Sequence, residues 1–170
     1  MKKFVLINSP LFRERTNEEE EYLSPLGLGY IATYLKKAGL EVMLLDSVKE
    51  RLGVEDILKQ VSEIKPEFVG INVFTQNYEL VQYIIEKMSI QCECFVGGQV
   101  VKSIYETILD WQTSNKVNII IGEGELIIPA IVLENCKENP IEHIDNKFVY
   151  KVDRNSQYFP EDISNIYLDR

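Results

Sequence analysis

Histidine is almost missing from this chain. Across 170 residues there is one, His143, which removes multi-histidine metal centres and most acid–base schemes built on imidazole. Cysteine is scarce too: Cys92, Cys94 and Cys136 form an odd set with neither zinc-ligand spacing nor a redox C-x-x-C pair, so they read as reduced thiols. Positive charge is in deficit, with 18 Lys and Arg against 27 Asp and Glu and a net charge of -9. Such a surface repels phosphate backbones and anionic lipid, and neither nucleic acid nor membrane is expected as a partner. Long apolar runs are also lacking. Only residues 4–7 are strongly apolar before Asn8-Ser9-Pro10, too short for a signal-peptide core, and no run reaches membrane-spanning length. The chain is expected in the cytoplasm, with no internal repeat and with the acidic run Glu18-Glu19-Glu20-Glu21 read as a solvated loop. No catalytic set and no metal-ligating set can be assembled from what remains, so catalysis by this chain alone is not expected.

What is present is a foldable domain. Hydrophobic residues make up 45% and charged ones 26%, the usage of a soluble globular protein with one core. Short β-branched or apolar runs recur at residues 4–7, 42–45, 68–74, 94–96 and 117–121, and each predicts a strand buried on both faces because polar alternation is missing. Helical spacing fills the gaps: Leu26, Tyr30, Tyr34 and Ala38; Val54, Ile57, Leu58, Val61 and Ile64; Leu80, Val81, Ile84, Ile85 and Met88; Ile104, Ile108 and Trp111; then Ile127, Ile128, Ile131 and Cys136. Ser24-Pro25 reads as a capping hydroxyl before a first-turn proline, Gly39 as a helix stop, and Lys65-Pro66 as the end of the second helix. Alternating strands and helices imply an α/β doubly wound fold, Rossmann- or flavodoxin-like, with a five-stranded parallel sheet and helices on both faces. This domain should occupy residues 1–140. Residues 141–170 read as a small hairpin turning at Asp145-Asn146, appended to the sheet edge, followed by a polar linker ending at Tyr167-Leu168-Asp169-Arg170.

In such sheets ligands bind beyond the carboxyl ends of the strands. The residues there are Ser9, Asp46 and Ser47, Asn72, Thr75 and Asn77, Gly97-Gly98-Gln99, and Gly122-Glu123-Gly124-Glu125. Taken singly, each is equally well explained as loop chemistry or helix capping; five such stretches at one edge mark a site. Gly97-Gly98 lets backbone lie flat against something large. Gly27-Leu28-Gly29-Tyr30-Ile31-Ala32 matches G-x-G-x-x-A, with Asp46 as a possible ribose-binding acid, but it lies roughly 20 residues past the first strand instead of in its tight turn. Close helix packing explains those glycines as well.

In order, Ser24-Pro25-Leu26-Gly27-Leu28-Gly29-Tyr30-Ile31-Ala32-Thr33-Tyr34-Leu35-Lys36-Lys37-Ala38-Gly39, Pro66-Glu67-Phe68-Val69-Gly70-Ile71-Asn72-Val73-Phe74-Thr75, Val96-Gly97-Gly98 and Ile121-Gly122-Glu123-Gly124-Glu125 resemble the N-terminal cobalamin (B12)-binding domain of cobalamin-dependent radical S-adenosylmethionine enzymes. The resemblance implies a corrin held over the strand ends, most often for methyl transfer to an unactivated carbon or phosphorus. It also implies a partner radical domain carrying an iron-sulfur cluster on C-x-x-x-C-x-x-C and S-adenosylmethionine; Cys92-Glu93-Cys94 does not fit that motif, so cluster and S-adenosylmethionine are expected only outside this chain. Related cobalamin domains show D-x-H-x-x-G after the second strand; here Asp46 matches, while Val48 and Arg51 stand in the histidine and glycine places, and an S-x-L pattern becomes Asn72-Val73-Phe74. The implied state is base-off cobalamin with no protein ligand to cobalt. A non-catalytic flavodoxin-like binding or interaction domain with a vestigial pocket, and a fragment of a nucleotide-binding oxidoreductase, stay open as alternatives.

Overall fold

The five apolar runs do become parallel strands, β1 (Lys3–Asn8), β2 (Glu41–Asp46), β3 (Phe68–Asn72), β4 (Glu93–Gly97) and β5 (Lys116–Gly122), in a computed structural model that describes residues 1–17, 22 and 24–161. The acidic run at 18–21 and the end of the linker lie outside the described residues. Between the strands come α1 (Leu26–Lys37), α2 (Val54–Ile64), α3 (Tyr78–Lys87), α4 (Val101–Leu109) and the short α5 (Ile127–Val132). A hairpin of β6 (Glu142–Ile144) and β7 (Lys147–Val152) follows, turning through Asp145 in a left-handed conformation.

The strands join one sheet in the order β2-β1-β3-β4-β5-β7-β6. The sheet therefore has seven strands, not five: β7 runs parallel to β5 and only β6 is antiparallel. The chain steps outward from β1 to β2 and then returns to pair β3 on the other side of β1, so a topological switch point lies between β1 and β3. α2, α3 and α4 cover the face of Val5, Ile7, Val69, Ile71, Val96 and Ile119. α1 and α5 cover the opposite face, where Phe4, Phe68 and Phe95 pack as an aromatic group with Leu6 and Ile120. Helices on both faces leave the strand ends as the open border of the molecule.

Three local expectations are corrected. β2 is an edge strand, and Met43 and Leu44 are 46% and 42% exposed, because β1 alone pairs with it. Helix α1 starts at Leu26 with Pro25 in the cap position and no capping hydroxyl; the Ser24 side chain bonds Tyr22 instead. Helix α5 stops at Val132, and Glu134 turns left-handed (φ 57°), so Cys136 lies beyond it. The other stops hold: Gly39 has φ 87° and Lys65 φ 50°.

The long loop after β1 is tied across the start of α2. The Val54 N–H donates to the Arg13 carbonyl (2.9 Å), the Arg15 guanidinium reaches Asp56 (3.3 Å), and Arg13 lies 4.5 Å from the Tyr83 ring centroid. Gly53 makes this seat: a Cβ there would come within 2.6 Å of the Arg13 carbonyl oxygen and 2.7 Å of the Arg15 nitrogen. The Asp56 carboxylate accepts the Gly53 N–H (3.1 Å), which together with Arg15 holds its pKa below the usual range.

Candidate functional site

The carboxyl ends of the first three strands share one polar network. Asn8, the last residue of β1, donates from Nδ2 to Asp46 Oδ1 (2.9 Å) and accepts at Oδ1 from Asn72 Nδ2 (3.0 Å). Asn72 in turn accepts the Ser9 N–H (2.7 Å), and the Ser9 hydroxyl accepts from Asn77 Nδ2. Asn77 closes the 3₁₀ turn Thr75–Asn77 by accepting the Phe74 N–H (2.8 Å). On the other side, Ser47 donates to the Asn8 carbonyl and Tyr22 donates to Asp46. That bond, followed by partial burial, raises the Tyr22 pKa. Ser9, Asp46, Ser47 and Asn77 are buried. Of the residues singled out from sequence, these four and Asn72 are thus brought together, and they hold the loops in place; Thr75 is exposed beside them.

The ends of β4 and β5 are built differently, from backbone. Gly98 (φ 136°) lies against Val73: a Cβ would run into the Val73 carbonyl oxygen, so its bareness is already demanded by the protein. Gly122 (φ 97°) is likewise closed by the Val152 carbonyl of β7. Gly97 differs, because a Cβ there would meet nothing closer than the Ile120 carbonyl oxygen at 3.8 Å; the space above it is open. Gln99 and Glu123 are exposed, while Gly124 is buried against Ile128 and Ile31. Glu125 is 5% exposed and its Oε2 has no partner. Burial pushes its carboxyl pKa up, and nearby Glu123 adds to the shift.

Two pockets flank the loop after β1. One of about 190 Å³ is lined by Phe12, Tyr22, Ser47 and Val48; the other, of about 560 Å³, by Phe12, Thr75, Gln76 and Tyr78. Val48, in the place of the family histidine, thus presents an alkyl wall to the smaller pocket. His143 sits on the outermost strand β6, opposite Phe148 near the amino ends of the strands, stacked on that ring at 4.1 Å. It is far from this edge.

The border so described accounts for one broad match. A family model described as the B12 binding domain fits residues 17–132, spanning the loops after β2, β3, β4 and β5. The chain belongs to the B12-binding domain family. This B12-binding domain is 30% identical over 123 residues to cytidylyl-2-hydroxyethylphosphonate methyltransferase of Streptomyces wedmorensis, covering 60% of the chain and 23% of that protein. It is 26% identical over 148 residues to hopanoid C-3 methylase of Methylococcus capsulatus, covering 85% of the chain and 28% of that protein. The chain thus spans about a quarter of the length of these relatives. Two structures of the cobalamin-dependent S-adenosylmethionine radical enzyme OxsB, one with aqua-cobalamin and one with aqua-cobalamin and S-adenosylmethionine, share its fold, with TM-scores of 0.63 and 0.62 and identities of 20% and 18%, over 81% of the chain and 19% of theirs.

The edge of this B12-binding domain fits a corrinoid. Cobalamin is broad, so it needs open backbone to lie on; the space over Gly97 offers it. Sequence reasoning missed Asn8, the hub of the polar network, although its place at the end of an apolar run was a sufficient signal. Tyr22 carried no signal, since it reaches Asp46 only through the path of a long loop.

Proposed function

We propose that this chain is the cofactor-carrying domain of a cobalamin-dependent radical S-adenosylmethionine enzyme, a methyltransferase, and is not catalytic alone. The observation that carries the reading is the open backbone at Gly97 on the strand-end border of a B12-binding domain. Residues 1–140 hold the corrinoid, and 141–170 lead toward a radical S-adenosylmethionine domain that carries the iron-sulfur cluster and S-adenosylmethionine. The names of the two relatives support methyl transfer. Free thiols at Cys92, Cys94 and Cys136 suit work in the cytoplasm.

In this reading the side chains divide the labour. Ser9, Asp46, Ser47, Asn72 and Asn77 fix the loops through the network above, Gly98, Gly122, Gly124 and the buried Glu125 shape the backbone path, and Gly97, Thr75, Gln99 and Glu123 face the ligand. Bound cobalamin supplies a cobalt centre able to carry a methyl group. It is held base-off with no protein nitrogen on cobalt: Val48 has no lone pair where the histidine would be, and His143 lies at the opposite end of the strands.

Titration of the chain with hydroxocobalamin, followed by visible absorbance, tests the reading. Gly97→Val should keep the far-ultraviolet circular dichroism and lose the absorbance change, since it fills only space outside the protein. Equal binding by both proteins would show that the corrinoid does not lie over Gly97, and a chain that takes up no corrinoid would leave the flavodoxin-like interaction domain in its place. Paramagnetic resonance of the cobalt(II) form reads the lower face: nitrogen superhyperfine splitting should be lost on binding, and its persistence would refute the base-off state.

A further inference from the structure

We propose that Met88, Cys92 and Cys94 form a binding site for a soft monovalent metal ion, Cu(I), at the amino end of β4 and apart from the corrinoid edge. Spacing alone leaves these cysteines without a metal role; the fold adds a third donor. Cys92 Sγ lies 3.3 Å from Met88 Sδ and 3.7 Å from Cys94 Sγ, so three sulfurs from the end of α3 and the start of β4 meet with Cys92 in the middle. Both thiols are free. The donor set selects the ion, because thiolate and thioether sulfur favour Cu(I) over hard cations. Zinc would need a fourth donor, and no group of three or more His, Cys, Asp or Glu able to hold a metal exists among the described residues. Glu93, between the two cysteines, is engaged elsewhere: its Oε1 accepts from Asn118 Nδ2 (2.7 Å) and from Lys116 Nζ (2.8 Å). Around a three-coordinate ion with metal–sulfur bonds of about 2.3 Å, sulfurs stand about 4 Å apart. The two sulfur pairs reach that spacing by opening less than about 1 Å.

The central thiol is held in place from behind. Asn115, itself buried, accepts the Cys92 N–H at Oδ1 (3.1 Å) and donates from Nδ2 to the Ile90 carbonyl (3.1 Å). That fixes the chain on both sides of Gln91, the part an outer shell plays for a metal ligand. The site is also reachable from the surface. Cys92 is 8% exposed and Met88 half-buried, and Lys87, Ser89 and Gln91 around them are exposed, so a bare ion enters between the two outer residues and needs no cavity. As the two metal–thiolate bonds form, the protons of Cys92 and Cys94 pass to solvent and the metal keeps its oxidation state. Cys94 lies three residues, about 10 Å, along β4 from Gly97, which separates this site from the corrinoid.

The test is anaerobic titration of the reduced chain with Cu(I) in competition with the chelator bicinchoninate, followed by the absorbance of the chelator complex, with Zn(II) as a second probe. One Cu(I) per chain should be retained. Cys92→Ser and Cys94→Ser should each lose it, and Cys136→Ser should keep it. X-ray absorption at the copper edge of the parent should count three sulfur neighbours at about 2.3 Å, falling to two in Met88→Leu. Because the count of three is read on the parent, it decides the matter even where a serine variant loses its circular dichroism. No retention by the parent, retention unchanged in both serine variants, or a shell of nitrogen and oxygen around copper would overturn the proposal. So would Zn(II) held as tightly as Cu(I). None of these outcomes touches the reading of the corrinoid edge.

Discussion

The two halves of the strand-end border solve the same problem in opposite ways. Over β1, β2 and β3 the polar side chains spend their hydrogen bonds on one another, and five of them are buried. Over β4 and β5 there is almost no side chain to spend: four glycines, with open space over Gly97, and a buried carboxylate with one oxygen unpartnered among the described residues. The first half is a frame, satisfied without ligand. The second leaves backbone bare at Gly97, which is what a surface must do if something flat is to lie on it.

This contrast can be broken by substitution. The largest effect is expected at Gly98→Ala, where a left-handed backbone and the Val73 carbonyl both resist a methyl group; stability in urea should fall by about 3 kcal/mol, and a fall within error would show that the β3–β4 crossing is looser than described. Asn8→Ala, which removes the bonds to Asp46 and Asn72 together, should cost about 2 kcal/mol and leave corrinoid affinity reduced only in proportion to the disturbed loops. Gly97→Ala should change stability by no more than about 0.5 kcal/mol yet weaken hydroxocobalamin binding, separating frame from surface in a single pair of measurements. The smallest effect concerns pH. Because burial raises the Glu125 pKa in the folded chain, the folded state takes up that proton first as pH falls. The penalty of its charge is fully present near neutrality, is relieved as pH drops through the raised value, and vanishes below the ordinary glutamate pKa of about 4.3. The melting-temperature gap between Glu125→Gln and the parent should therefore narrow on acidification; a gap that widens would reverse the assignment.

Much of this was legible in the chain itself. Unbroken apolar runs such as residues 4–7 specify buried parallel strands, and the rule that ligands gather past strand ends pointed to the border where the polar network and the open Gly97 backbone lie. What stayed hidden was non-local. The run around Met43 and Leu44 looks like any central strand, and only the pairing of β1 with β3 makes it an edge. Nothing local in residues 147–152 says that they will lie parallel to β5, since register between distant segments is set by the assembled sheet. Glycine was the most ambiguous letter: Gly97 and Gly98 are neighbours of one type, but the first is bare toward open space and the second because Val73 is already there. No sequence pattern separates an unpaired Glu125 from a helix cap.

The parallel run of β7 also fixes where the polypeptide goes next. Val152 pairs with Gly122, and its carbonyl packs where a Gly122 side chain would be, so the chain leaves the sheet beside the loop that carries Glu125. Had the strand run the other way, its exit would lie at the opposite end, about 20 Å off for six residues of strand. As built, the chain leaves the sheet with its last paired carbonyl against the Gly122 backbone, at the ligand-facing end of the strands.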